Sequence, residues 1–228
     1  MQHDIELIVF DIAGTTVKDN GEIATAFQDA MRQYGYEIPQ EKISPLMGYK
    51  KTEAIRMMLN EYETESSAIT TEYINNIHEK FLRLMVQYYQ TAEDLQPLPN
   101  AEKIFAKFKN RGVKIGLDTG FPHQITNVII ERLGWLAERK VDYVISSDEV
   151  AAGRPQPYMI EKIMKATGVD DANKVVKVGD TEVDIHEGKT AGCLFSIGVT
   201  TGAFTREALQ PHHPDFIIDD LYELVEIL

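Results

Sequence analysis

Asp11-Ile12-Ala13-Gly14-Thr15-Thr16 follows directly on a short apolar run. Three further signals stand at or near later runs: Asp118-Thr119-Gly120, Gly153-Arg154-Pro155 and Gly179-Asp180-Thr181-Glu182-Val183-Asp184. A carboxylate at a strand end, followed by Gly and Thr, can face a nest of backbone N–H groups, and such nests bind phosphate oxygens. Gly14, Thr15 and Gly120 are therefore candidate phosphate contacts. Asp180 and Asp184 add two oxygen ligands at i and i+4, on one face at a helix start. Carboxylate-rich, oxygen-only ligation suits Mg²⁺. Thr119 offers a hydroxyl and a backbone N–H to a phosphate, and Arg154 a charge-assisted fork. A nucleophilic carboxylate, a hard cation and two phosphate ligands are the equipment of phosphoryl transfer through an aspartyl-phosphate. Each signal alone also reads plainly: a turn or N-cap aspartate, a loop pair, a surface arginine, a capped helix start. Their order and strand-end placement join them.

Those positions require a sheet. Branched aliphatic runs at 5–10, 113–117, 141–145, 174–178, 193–197 and 215–218 read as buried strands. Helical patterns at about 100–111, 123–134, 156–168, 184–191 and 219–227 separate them. Strand–helix alternation implies an α/β fold, a parallel sheet with helices on both faces. In such sheets ligands bind outside the carboxyl ends of the strands, where the four signals fall. The first interval is anomalous. A βαβ unit needs ~30 residues, but about a hundred separate Asp11 from Asp118. Most of that interval reads as helix, at 22–35, 51–62 and about 67–90. The reading is an inserted α-helical cap at 17–94, above a core formed by 1–16 and 95–228.

Composition narrows the function. The 36 acidic against 23 basic residues leave a formal net charge of −13. That balance repels nucleic acid and anionic lipid, so neither is an expected partner. A small anionic substrate needs a local cation cluster or a metal. One cysteine, Cys193, excludes an internal disulfide and any multi-cysteine zinc site, and fits a reducing cytoplasm. No basic n-region with an apolar h-region is visible, and no run approaches the ~18 apolar residues of a membrane span.

The ordered motifs resemble the haloacid dehalogenase superfamily, whose cap is inserted just after the first motif. The resemblance spans nearly the whole chain and is closest to the phosphonatase-like branch. Ala13 stands where most phosphatases of the superfamily have a second aspartate. Arg154, within Ala151-Ala152-Gly153-Arg154-Pro155, stands where many have lysine. Met47-Gly48-Tyr49-Lys50-Lys51 is similar to the cap segment bearing the branch's Schiff-base lysine, with Lys51 at the matching spacing. The resemblance implies a Rossmann-like core, Asp11 as nucleophile and Mg²⁺ ligand, the Ala13 carbonyl and Asp180 as further ligands, and Asp184 in support. It also implies Thr119 and Arg154 on the phosphoryl oxygens. Two positions depart from the branch: Ala54 replaces a histidine three residues after the lysine, and Asp118 replaces a threonine.

Ala13 cannot protonate a leaving alkoxide, a role that contributes roughly 10²–10⁴-fold in general acid catalysis. A lysine imine removes that need by acting as an electron sink. The expectation is a Mg²⁺-dependent hydrolase of a small phosphonate or organophosphate, monomeric or homodimeric. The alternatives are a phosphoglycolate-phosphatase-like monoester hydrolase and a phospho-aspartate signalling module, which would need no lid. Lys51 itself reads two ways: an amine with a lowered pKa, or a solvated lysine at the start of helix 51–62. His123, His186 and the pair His212-His213 read as surface, supporting and loop residues respectively.

Overall fold

The computed structural model describes residues 4–228. Residues 1–3, which the sequence reading assigns to the core, lie outside the described residues. In chain order, β1 (Leu7–Asp11) leads to α1 (Glu22–Arg32), α2 (Gln40–Ile43), α3 (Lys51–Tyr62), α4 (Thr71–Thr91) and α5 (Ala101–Lys109). Next come β2 (Lys114–Thr119), α6 (His123–Leu133), β3 (Tyr143–Ser146), α7 (Tyr158–Thr167), β4 (Val175–Gly179) and α8 (Glu182–Ala191). The chain closes with β5 (Phe195–Val199), α9 (Arg206–Leu209), β6 (Phe216–Ile218) and α10 (Leu224–Ile227).

The six strands form one parallel sheet in the order β3-β2-β1-β4-β5-β6. The fold is thus the expected α/β, Rossmann-like one. Strand order reverses between β1 and β4, which makes their carboxyl ends the topological switch point. β1 is covered on both faces, and side chains alternate across it. Ile8 and Phe10 enter the larger core with Phe105, Leu117 and Val178, whereas Leu7 and Val9 pack with Met159, Ile160 and Ile163 of α7.

Each strand begins one or two residues later than the apolar runs suggest. Ladder hydrogen bonds do not depend on apolar side chains, so pairing continues through the polar ends: Asp11 stands opposite Asp118 in the β1–β2 register. Helix 22–35 stops at Arg32, before the turn at Gly35. The pattern at 67–90 starts as a helix only at Thr71, because Thr70 caps it by accepting from the Tyr73 N–H at 3.1 Å. The pattern at 219–227 yields only α10, preceded by a single tight turn.

Between β1 and β2, α1, α3 and α4 pack together. Phe27 stacks on Phe81 with ring centroids 4.3 Å apart. Ile74, Ile77, Phe81, Met85 and Tyr89 give α4 one continuous buried face at helical spacing. Both connections between these helices and the sheet run side by side. Lys18 N–H donates to Gln96 O at 3.2 Å, and Leu98 N–H to Thr16 O at 2.8 Å.

Candidate active site

Asp11 ends β1, Thr119 ends β2, and Asp180 follows β4 directly. The three side chains meet at the switch point on a cavity of about 20 Å³, shared with Ala13, Asp19 and Lys51. That is room for about one water molecule. Gly120 also lines it, whereas Gly14, Thr15, Arg154 and Asp184 are not among its lining residues. The Gly14 N–H donates to Val17 O at 2.8 Å, and its carbonyl accepts from the Thr201 hydroxyl at 2.7 Å. Thr15 Oγ1 donates to Asp180 Oδ1 at 3.2 Å, and the Ala203 N–H donates to Asp180 Oδ2 at 2.6 Å. Thr119 Oγ1 accepts from the Phe121 N–H at 3.1 Å.

Arg154 is buried and ringed by carboxylates. Its Nη1 lies 2.7 Å from Asp11 Oδ1 and 3.0 Å from Asp184 Oδ1, and its Nε lies 3.2 Å from Glu187 Oε2. Its Nη2 donates to Asp118. Lys177, on the central strand β4, also donates to Asp118 and lies 3.1 Å from Glu187 Oε2 and 3.2 Å from Asp184 Oδ1. Burial pushes the Asp118 carboxyl upward, but Arg154 and Lys177 outweigh it and hold the carboxyl below its usual value. Glu187 goes the other way, pushed well up by burial and by Asp118. Asp11 rises to about 6 through burial, against the pull of Arg154. Asp180 is pushed well above its usual value by burial and by the charges of Asp11 and Asp184.

Five carboxyl groups, of Asp11, Asp118, Asp180, Asp184 and Glu187, crowd around the two cations Arg154 and Lys177, and the crowding and burial push Asp180 and Glu187 toward their protonated forms. Ligand atoms of Asp11, Asp118 and Asp184 all lie within 4.8 Å of one another, a buried acidic triad able to hold a metal ion. Asp184 Oδ1 has no directed hydrogen bond among the described residues but is ion-paired with Arg154 and Lys177. Oxygen-only donors gathered in one buried cluster fit a hard divalent cation. The expected ligand set is divided, however. Asp11 and Asp184 belong to the triad, where Arg154 nitrogens pair with one oxygen of each member. Asp180 instead faces the cavity beside Asp11 and Ala13. Asp184 Oδ2 closes a capping box with Thr181 at the start of α8, so its helix-cap and site roles coexist.

The segment before α3 reaches down onto these motifs. Tyr49 OH donates to Glu182 Oε1 at 3.0 Å. A Cβ on Gly120 would stand 2.5 Å from the carbonyl oxygens of Gly48 and Tyr49, so only glycine permits the approach. Gly48 itself has φ +83°, and a Cβ there would overlap the Thr181 hydroxyl. This contact delivers Lys51, the first residue of α3, into the cavity. Lys51 is 4% exposed, which settles its two readings against the solvated one. Its Nζ lies 5.0 Å from the Phe121 ring centroid and 5.7 Å from that of Phe27. Desolvation lowers its pKa to about 8, although Asp11 pulls the other way. Ala54, where the branch has histidine, is fully buried.

His123 is exposed at the start of α6. His186 is exposed and faces His212 at 3.2 Å, away from the cavity. Sequence reading missed Lys177, Glu187 and Asp19. A lysine within the apolar run Val175-Val176-Lys177-Val178 was the available signal for a buried acidic partner. Glu187, one turn after Asp184, was the available partner.

A doubly wound sheet with converging acids at its switch point and a helical insert above them defines a capped α/β enzyme. The model of the haloacid dehalogenase-like hydrolase family matches residues 8–198, and the chain belongs to that family. The chain is 33% identical over 207 residues to a phosphonoacetaldehyde hydrolase of Bordetella pertussis, with 86% of this chain and 72% of that protein covered. A phosphonoacetaldehyde hydrolase of Bacillus cereus is 30% identical over 233 residues, covering 98% and 86%. Among solved structures, a phosphonoacetaldehyde hydrolase-like protein from Oleispira antarctica superposes with TM-score 0.82 at 23% identity, covering 98% and 91%. A predicted phosphoglycolate phosphatase from Haemophilus somnus shares the fold with TM-score 0.79 at 18% identity, covering 100% and 99%.

Proposed function

We propose that this hydrolase is phosphonatase-like and releases inorganic phosphate from a small phosphonate or organophosphate through a phospho-Asp11 intermediate. One observation carries the reading: a nucleophilic carboxylate, a buried amine of lowered pKa and the acid-free Ala13 share a single cavity. The names of the curated relatives support it.

On a substrate with an aldehyde next to its phosphonomethyl carbon, the neutral Lys51 amine adds to the carbonyl and expels water to form an iminium. Asp11 attacks phosphorus. The electron pair of the breaking C–P bond flows into the iminium, so carbon departs as an enamine and no acid at position 13 is needed. The enamine carbon then takes a proton from water, giving an iminium whose hydrolysis releases the aldehyde and frees Lys51, and water hydrolyses the acyl phosphate of Asp11. Thr119 holds the phosphoryl oxygens, with Gly14, Thr15 and Gly120 shaping the loops around them, and Arg154, which lies outside the cavity and pairs with four carboxylates, acts through Asp11. At 2.7 Å from Asp11, it orients the nucleophile. Asp11, the Ala13 carbonyl and Asp180 would hold Mg²⁺, with Asp184 in support. The bound ion would neutralise charge developing on the phosphoryl oxygens.

We assign 17–94 to a mobile cap and 1–16 with 95–228 to the core, with hinges near 16–20 and 92–98. The cavity below the cap is far smaller than a substrate pocket, so entry requires opening. Phosphate release by wild type and Lys51→Arg, from phosphonoacetaldehyde and from a panel of phosphate monoesters including phosphoglycolate, tests the proposal. Loss of phosphonate turnover in the variant is the expected result. Rapid monoester hydrolysis by both proteins, without phosphonate turnover, would instead establish a P–O phosphatase that uses Lys51 for binding.

A further inference from the structure

The cavity has a third carboxyl group besides those of Asp11 and Asp180. Asp19 lines it together with Asp11 and Lys51, on the connection between β1 and α1. One of its oxygens, Oδ1, accepts from the Gly21 N–H at 3.1 Å, which fixes the side chain. Glu22, the first residue of α1, hydrogen-bonds to the same carboxyl group. Asp11 and Lys51 line the same cavity, Tyr88 and Tyr89 of α4 are within electrostatic reach of Asp19, and His78 of α4 is within reach of Lys51.

We propose that Asp19 is the proton-transfer residue that serves Lys51. This rests on the imine reading above. Once Lys51 has added to the aldehyde, the carbinolamine must lose its hydroxyl group. Asp19 gives its proton to that hydroxyl, the C–O bond breaks, water leaves, and the nitrogen lone pair forms the C=N bond. The product is a cationic iminium facing an Asp19 carboxylate. When the imine is hydrolysed, the carboxylate takes the proton back from the attacking water. Ala13 and Ala54 leave both family positions for such a group without a proton donor, whereas Asp19 brings one to the same cavity from the first connection. Its electrostatics suit a proton donor, because burial and the Glu22 hydrogen bond raise its pKa to about 6 and a protonated fraction persists near neutrality.

The test follows borohydride trapping of phosphonoacetaldehyde on wild type, Asp19→Asn, Asp19→Glu and Lys51→Arg, with adduct formation measured by intact mass across pH. The reaction needs protonated Asp19, present below about 6, and neutral Lys51, present above about 8. Wild-type trapping should therefore rise to about pH 6, level off, and fall above about pH 8. Asp19→Asn should slow trapping near neutrality by ~10²-fold, the low end of general acid catalysis, and should lose the alkaline fall. Asp19→Glu should restore that fall, which a purely structural role would not do. Wild-type rates with the alkaline fall intact in Asp19→Asn would overturn the role of Asp19 while leaving the imine standing. Absence of any Lys51 adduct on the wild type would overturn both.

Discussion

Asp11 and Lys51 line one small cavity, and single substitutions separate the contributions proposed for them. Asp11→Asn keeps the shape but removes the proposed nucleophile, so phosphate release should fall to background while the protein stays folded by circular dichroism. In the proposed imine route Lys51 reacts as a neutral amine, and deprotonation with rising pH supplies that form. In Asp19→Asn, where no acid titrates against the amine, imine trapping should rise with pH until about 8 and then level off. A trapping rate independent of pH between about 6 and 9 in that variant would contradict an amine with that lowered pKa. Lys177 anchors Asp118, Asp184 and Glu187 without touching the cavity. Lys177→Met leaves those charges under-compensated and should lower stability to urea by about 3–5 kcal/mol, as for a broken buried pair. At this scale the motif-bearing residues were legible, because carboxylates at strand ends have few other uses in such number. Asp19 was not. It stands outside any motif and reaches the site only because the connection to α1 folds over the cavity.

Among the elements, the segment Met47–Lys51 decides whether the site is assembled. Gly120→Ala places a methyl group against the Gly48 and Tyr49 carbonyls and should hold that segment off the sheet. The expected outcome is a large fall in kcat with little change in melting temperature, because the contact is between units rather than within a core. An unchanged kcat would show that the contact is dispensable. Tyr49→Phe removes only the bond to Glu182, worth about 1 kcal/mol net, and should weaken catalysis severalfold at most. All six strands and the large helical insert were legible from aliphatic runs and spacing. Their ends were not: β2 extends through Asp118-Thr119 because backbone pairing with β1 and β3 continues there. Nor does helical periodicity show that Thr70 rather than residue 67 starts α4. A local cap hydrogen bond makes that choice.

For the whole molecule, the antiparallel pair of connections at 16–18 and 96–98 is, among the described residues, the only backbone route between insert and sheet, and their mutual hydrogen bonds make a compact pivot. Crystal forms with and without a phosphate mimic should differ by rotation there. Identical insert positions in both would count against a moving cap. A net charge of −13 still allows the proposed anionic substrate, because the attraction is local: Lys51 lines the cavity, and the buried acidic triad is able to hold a metal ion. Order along the chain disclosed the sheet and its insert, but how far the insert closes is a tertiary property without a sequence pattern. The most direct measurement on the central claim is peptide mapping of the protein after incubation with phosphonoacetaldehyde and borohydride. The account expects one reduced adduct, on Lys51, with none on Lys51→Arg. An unmodified Lys51 in an enzyme that still releases phosphate from this substrate would contradict it.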